Sequence, residues 1–407
     1  MLSSPNTLLA SVNYRRIWLI GLLTGVTRWL EFLALGVFAY EITQSPSLVA
    51  LLALLRMAPF IFLGFFIGAL TDVIDRKRWL IILTVLVLMI SVFMAVAAER
   101  GVATYGLVAI ATFISGIYWV TDMPLRRRLL VDSVDHRLLT SATAFDNITN
   151  YVTRALGVLV GGIIYEWLSL AGVFALSALL YAICLLLALG IRQRQAALHR
   201  EALPRPGWAK LLVPPRALIF DPAFLIVIGV TIVYNLWCFP LVAMVPVMAE
   251  RDLQLSAVGV GMLSACEGIG GTLAAIVIGA MATNRSLFPL YYWGVFSYLI
   301  LVALLALHLS FSTATLAFVC AGAAAACFSA AQYALVYLIA PPDMRGKATG
   351  ILSIFIGTSA IGMYNAGYLF EHFATPNALW IMAGQGMTIM AFLGVVLWFA
   401  TDRARVT

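Results

Sequence analysis

Twelve times along its length the chain runs through some twenty mostly apolar residues, at about 17–41, 47–70, 79–98, 103–124, 139–163, 169–191, 223–248, 256–282, 287–307, 313–339, 348–370 and 378–400. A helix of ~20 such residues crosses the hydrocarbon layer of a bilayer, where the backbone must satisfy its own hydrogen bonds. The expected fold class is therefore an all-α, multi-pass membrane protein. With 63% hydrophobic and 11% charged positions over 407 residues, and a mean hydropathy of +1.01, the chain is far more apolar than a water-soluble core requires.

A net charge of +7 raises the question of nucleic acid, and the distribution of the cations answers it. With the N-terminus cytoplasmic, the inner segments carry 20 Lys and Arg, the outer loops carry Arg100 and Arg251, and Arg28, Arg56 and Arg154 fall inside helices. That asymmetry is the positive-inside rule. Both termini are expected on the cytoplasmic side, and the basic charge is topological, with no nucleic-acid partner.

The long polar stretch 192–221 holds six basic residues and four prolines and separates six expected helices from six. The expected organisation is an N-terminal bundle (1–191), a cytoplasmic linker (192–221) and a C-terminal bundle (222–407). Two local repeats support a duplication: "GVLVGGIIYE" (157–166) matches "GMYNAGYLFE" (362–371) at an offset of 205, and "FIGAL" (66–70) matches "VIGAM" (277–281) at 211. Parallel halves with a site between them are a known transporter layout. Cys184, Cys238, Cys266, Cys320 and Cys327 all fall in expected spans without a CxxC, so they read as packing residues with no metal site. The N-terminus lacks the pattern of a cleaved signal peptide, so the first apolar segment is expected to be mature protein.

Between the second and third segments lies "GALTDVIDRKRWL" (68–80), in which Gly68, Leu70, Asp72, Arg76 and Lys77 match the loop signature of the major facilitator superfamily, with Asp75 where a glycine is usual. "GVLVGG" resembles that superfamily's antiporter motif through Gly157, Gly161 and Gly162, with Val158 in place of proline; the glycines also suit plain close helix packing. "APPDMRGKATG" (340–350) resembles a loop common in its exporters. The resemblance implies twelve transmembrane helices in two pseudo-symmetric six-helix bundles, of the branch that includes drug and siderophore exporters. It also implies a conformational latch in which Gly68 lets helices approach while Asp72, Arg76 and Asp122 form a charge network. Helices 1, 4, 7 and 10 would line the cavity.

Placing Arg or Glu at mid-bilayer costs about 2.5–3.5 kcal/mol each on insertion scales. Yet Arg28, Glu31, Arg56, Asp146, Arg154 and Glu267 sit well inside expected helices, and none is in helices 3, 6, 9 or 12. Counting from the outer ends puts Glu31, Arg56 and Arg154 at similar depth, so they are expected to meet, leaving surplus positive charge for an anionic group. Asp146, Asn150 and Arg154 form a stripe at helical spacing. Glu267 is the single acid inside the second half's spans. Burial penalises its charged form, which makes it, with Glu31 and Asp146, a candidate proton carrier; its alternative is a pair with an arginine of the first half. Asn147, Tyr151, Tyr234, Asn235, Trp237, Gln332 and Tyr333 complete the candidate substrate-binding set.

The expected activity is secondary transport: export of a small amphiphilic or anionic organic compound, siderophore or drug-like, across a bacterial inner membrane by proton antiport. The alternative is an organic-anion importer or uniporter of the same fold. The expectation includes a monomer, protons as coupling ion and no other cofactor. An enzyme is disfavoured because HExxH and GxSxG are missing and His136, His199, His308 and His372 lie in loops or at a helix end.

Overall fold

A computed structural model describes residues 10–70, 75–134, 138–191, 218, 220–281, 286–307, 309–341 and 344–406. Four helices open the chain: α1 (Val12–Thr43), α2 (Pro46–Leu70), α3 (Arg76–Glu99) and α4 (Tyr105–Ser133). A continuous helical stretch, Leu139–Leu189, bends sharply at Ser169, whose φ of 55° and ψ of −166° are not helical, and is thereby divided into α5 (139–168) and α6 (170–189). The second half comprises α7 (Pro222–Asp252), α8 (Ala257–Met281), α9 (Leu287–Leu307), α10 (Phe311–Ile339), α11, broken into Arg345–Ile356 and Ser359–His372, and α12 (Thr375–Val406).

Ten described helices are long and apolar enough to cross a membrane, one of them being the joined α5 and α6. With α11, whose halves are individually too short, the described residues make twelve crossings in two bundles of six, as the sequence leads one to expect.

Local chemistry explains the ends and the breaks. Ser11, Asp75, Thr104, Asp221 and Ser310 cap α1, α3, α4, α7 and α10 by accepting backbone N–H bonds from the first turn. Prolines 240 and 246 remove two donors from α7, and the helix widens into π-helical turns over Tyr234–Cys238 and Met248–Asp252. Close helix approach rests on glycine. A Cβ on Gly157 or Gly161 of α5 would meet the α1 backbone at Val26 or Leu30, and one on Gly162 would meet the Ala257 carbonyl of α8.

Two expectations need correction. Helix α4 ends not near 124 but at Ser133, because the apolar "LLV" after the arginine triplet keeps its helical pattern. Arg126, one of the 20 cations assigned above to the inner segments, is consequently buried in the bundle. The linker 192–221 lies outside the described residues except for 218, 220 and 221.

Candidate transport site

Each buried charge sits beside an opposite one, in three groups. The first bridges the bundles. Arg154 on α5 places Nη2 2.5 Å from Oε2 of Glu267 on α8, and both side chains are at least nine-tenths buried. The Arg154 guanidinium lies 4.7 Å over the Trp29 ring, and the Tyr298 hydroxyl donates to Glu267 Oε1 at 3.4 Å. Glycines of "SACEGIGG" allow this approach: a Cβ on Gly268 would strike the α5 backbone at Ala155, and one on Gly271 the Tyr151 ring. On the other side of α8, Gly322 of α10 faces the Glu267 carbonyl.

In the second group Arg56 on α2 meets Glu31 on α1 at 3.4 Å, with Ser115 of α4 3.5 Å from the same carboxylate. Arg56 is 2% exposed, and its Nε and Nη1, like Glu31 Oε1, find no hydrogen-bond partner among the described residues. A desolvated guanidinium with two unused donors is a receptor for an acceptor group.

The third group runs toward the end of the bundle from which α1 starts. Arg28 pairs with Asp122 at 3.5 Å, Asp122 with Arg126 at 3.8 Å, Arg126 with Asp146 at 2.6 Å and Arg127 with Asp146 at 3.7 Å. Gly21 on α1 leaves the space that the Arg126 guanidinium occupies. Arg28 also lies 4.8 Å over the Trp119 ring. Taken together, five arginines of the N-terminal bundle face three acids of their own and a fourth, Glu267, lent by the other bundle.

Arg56 and Arg154 share the wall of a narrow cleft between the bundles, in which about 30 Å³ is open to water-sized groups. Trp29 and Phe32 supply its aromatic surface, and Pro246 and Ser264 its far wall. The cleft thus offers two buried guanidinium groups against a largely apolar, ring-bearing lining. Such a lining suits a compound with an anionic head and an apolar body.

The expected meeting of Glu31, Arg56 and Arg154 divides in two: Glu31 and Arg56 pair with each other, while Arg154 turns to Glu267. Asp146 faces Arg126 and Arg127 rather than the Asn150 and Arg154 stripe. Asp122 is paired with Arg28 and Arg126; Asp72 lies outside the described residues, so the latch joining it to Arg76 and Asp122, next to Gly68, is not placed. Asn147 is exposed beside Arg127, and Tyr333 carries the Arg127 guanidinium 5.8 Å from its ring centre. Tyr151 bonds Ser329 across the bundles. Tyr234 stacks on Phe328, Asn235 and Gln332 bond Thr231, and Trp237 bonds Gln385, all within the C-terminal bundle.

Arg126, Trp29 and Tyr298 were not expected. Arg126 carries a readable signal, since it stands four residues after Asp122 on a continuing helix. Tyr298 lies in an apolar run, and nothing in the sequence marks it.

Comparison with known proteins adds three findings. Residues 3–404 match the family model described as a transmembrane secretion effector. The staphyloferrin A transporter of Staphylococcus aureus (strain NCTC 8325 / PS 47) is 23% identical over 290 residues, covering 68% of this chain and 69% of that protein. Two solved structures share the fold: the nucleoside transporter NupG (D323A mutant), at a TM-score of 0.74 and 15% identity over 94% of this chain and 99% of that one, and a D-xylose-proton symporter, at 0.73 and 19% over 95% and 97%.

Proposed function

The chain belongs to the transmembrane secretion effector family of major facilitator transporters, and from that premise we propose that it is a proton-coupled exporter of a small organic anion. It is a multi-pass secondary transporter and not an enzyme. The finer reading is a monomer in a bacterial inner membrane, with both termini cytoplasmic, the last of these on the strength of the cation count.

The observation that carries the reading is the buried pair Arg154–Glu267, at 2.5 Å, joining the two bundles along the cleft. A proton taken up by Glu267 removes its charge and releases the Arg154 guanidinium. The freed cation then binds a carboxylate, catecholate or phosphate on the substrate, with Arg56 beside it. When the substrate leaves, Arg154 regains Glu267 as partner only if Glu267 gives up its proton. Protonation of Glu267 and anion binding at Arg154 thus favour each other, so this one pair links the proton to the substrate, and the direction of the two fluxes is read by the transport test below.

Among such substrates a siderophore is favoured over a drug-like molecule. The cleft offers two guanidinium groups, and the relative from Staphylococcus aureus is named for a siderophore. The test is transport in proteoliposomes of known orientation with an imposed pH gradient, using ferric-free polycarboxylate chelators and neutral aromatic compounds as probes. The expected result is gradient-driven movement of the anions outward. Accumulation on the termini side, or rates indifferent to the gradient, would replace antiport export by import or uniport.

A further inference from the structure

The outer ends of the bundles are joined by two contacts that repeat each other in register. Glu371, the last acid of α11, accepts the backbone N–H of Ser47 at 3.0 Å and the Ser45 hydroxyl at 2.8 Å; Ser47 is the second residue of α2. Glu166 of α5 accepts the backbone N–H of Val258 at 2.8 Å and bonds the Ser256 hydroxyl; Val258 is the second residue of α8. The acids are 205 positions apart and the helix starts 211 apart, the same two offsets found in the internal repeats. Each bundle therefore supplies a carboxylate that caps a helix of the other.

The surroundings repeat as well. Gly162 and Gly367, one turn before each acid, face the first turns of α8 and α2: a Cβ on Gly162 would strike the Ala257 carbonyl, and one on Gly367 the Ala50 side chain beside the Pro46 carbonyl. The preceding helices α1 and α7 are followed by left-handed glutamines, Gln44 (φ 50°) and Gln254 (φ 54°), which turn the chain into each capped start. The first N–H groups of a helix have no partner within it and carry the positive end of its dipole. A carboxylate brought from the opposite bundle satisfies them only while the outer ends are together.

We propose that Glu166 and Glu371 form the outer gate of the carrier, a two-fold pair of cross-bundle helix caps that holds the cleft shut on this side and is released when it opens. In the opened state both helix starts turn to water and the carboxylates lose their fixed donors. The pair sets the balance between closed and open forms, at about fivefold per cap and about twentyfold for both, from the usual worth of a helix cap. It requires alternation of access but neither the substrate nor the coupling ion proposed above, so failure of proton exchange leaves it standing.

The test is a distance measurement between spin labels at Val102 and Phe311, exposed positions beside the outer ends of α4 and α10, after replacement of the five native cysteines. The double variant Glu166→Gln, Glu371→Gln is expected to move population from the short to the long distance by about twentyfold, each single variant by about fivefold. A second pair, Ser47→Pro and Val258→Pro, removes the N–H donors and leaves the carboxylates intact, since proline is tolerated in a first turn. It is expected to give the same shift. Parental distances in either pair, with the protein monodisperse, overturn the proposal.

Discussion

Arg154 and Glu267 stand 2.5 Å apart on helices of different bundles, and among the described residues they are the ion pair that ties one bundle to the other. A buried pair gains little over apolar residues of the same size, whereas removing one partner strands the other. The pair is therefore a poor device for stability and a good one for coupling, because a proton can claim Glu267 and an anion Arg154.

Glu267→Gln keeps the size of the side chain and removes the titrating group. Uphill export driven by an imposed pH gradient is expected to fall about a hundredfold, the scale on which a positioned proton-transfer group contributes. Substrate binding measured at equilibrium should persist, since Arg154 remains. Full gradient-driven transport by this variant would remove Glu267 from the coupling role.

Arg154→Ala leaves Glu267 without its cation and takes a guanidinium from the cleft. Affinity for anionic probes should drop by about tenfold or more, the worth of a charge-assisted hydrogen bond, while neutral aromatic compounds bind nearly as before. Equal loss for both classes would mean that Arg154 serves packing on Trp29 alone. The double variant Arg154→Gln, Glu267→Gln should recover thermal stability lost by either single change, because no charge is then stranded.

Asp122 is wholly buried between Arg28 and Arg126. Asp122→Ala strands the Arg28 guanidinium, while Arg126 keeps Asp146, and is expected to cost about 3–5 kcal/mol, read as a lower unfolding midpoint in detergent. Asp122→Asn keeps the acceptor and should cost less. If both variants unfold like the parent, the network is solvated enough to do without the acid.

Much of this architecture was legible because lipid imposes simple rules. Twelve apolar runs and the clustering of charges outside helices 3, 6, 9 and 12 both follow from the cost of polar groups in hydrocarbon. Within a bundle, shared depth was enough to match Glu31 with Arg56, and across bundles the sequence allowed Glu267 an arginine of the first half without saying which. Arg154 was placed at the right level but matched with Glu31 instead of Glu267, because which bundle face meets which depends on glycines at 268 and 271 that look like ordinary apolar filler. Arg126 was misread because a charge triplet resembles a loop, although it is the apolar run after it that decides where α4 ends. Glu166 and Glu371 were visible in the repeat, yet their use as caps needs the helix starts at Pro46 and Ala257 to lie opposite them.

Gly322 offers a way to disturb the coupling pair without touching either charge. It lies on α10 where a Cβ would run into the carbonyl of Glu267, and Gly270 on α8 faces the Val319 carbonyl of α10 in the same manner. Backbone cannot yield as a flexible side-chain tip does, so Gly322→Val must push α8 and α10 apart. Overpacking of this kind costs about 1–3 kcal/mol. The displaced α8 would also carry Glu267 away from Tyr298 and alter its distance to Arg154. The expected outcome is a protein that still folds, with a modestly lower unfolding midpoint and a loss of gradient-driven export out of proportion to that change. Gly322→Ala should lie between the variant and the parent on both measures. If export falls only in step with stability, the α8–α10 contact supports the fold and has no bearing on how Glu267 is held.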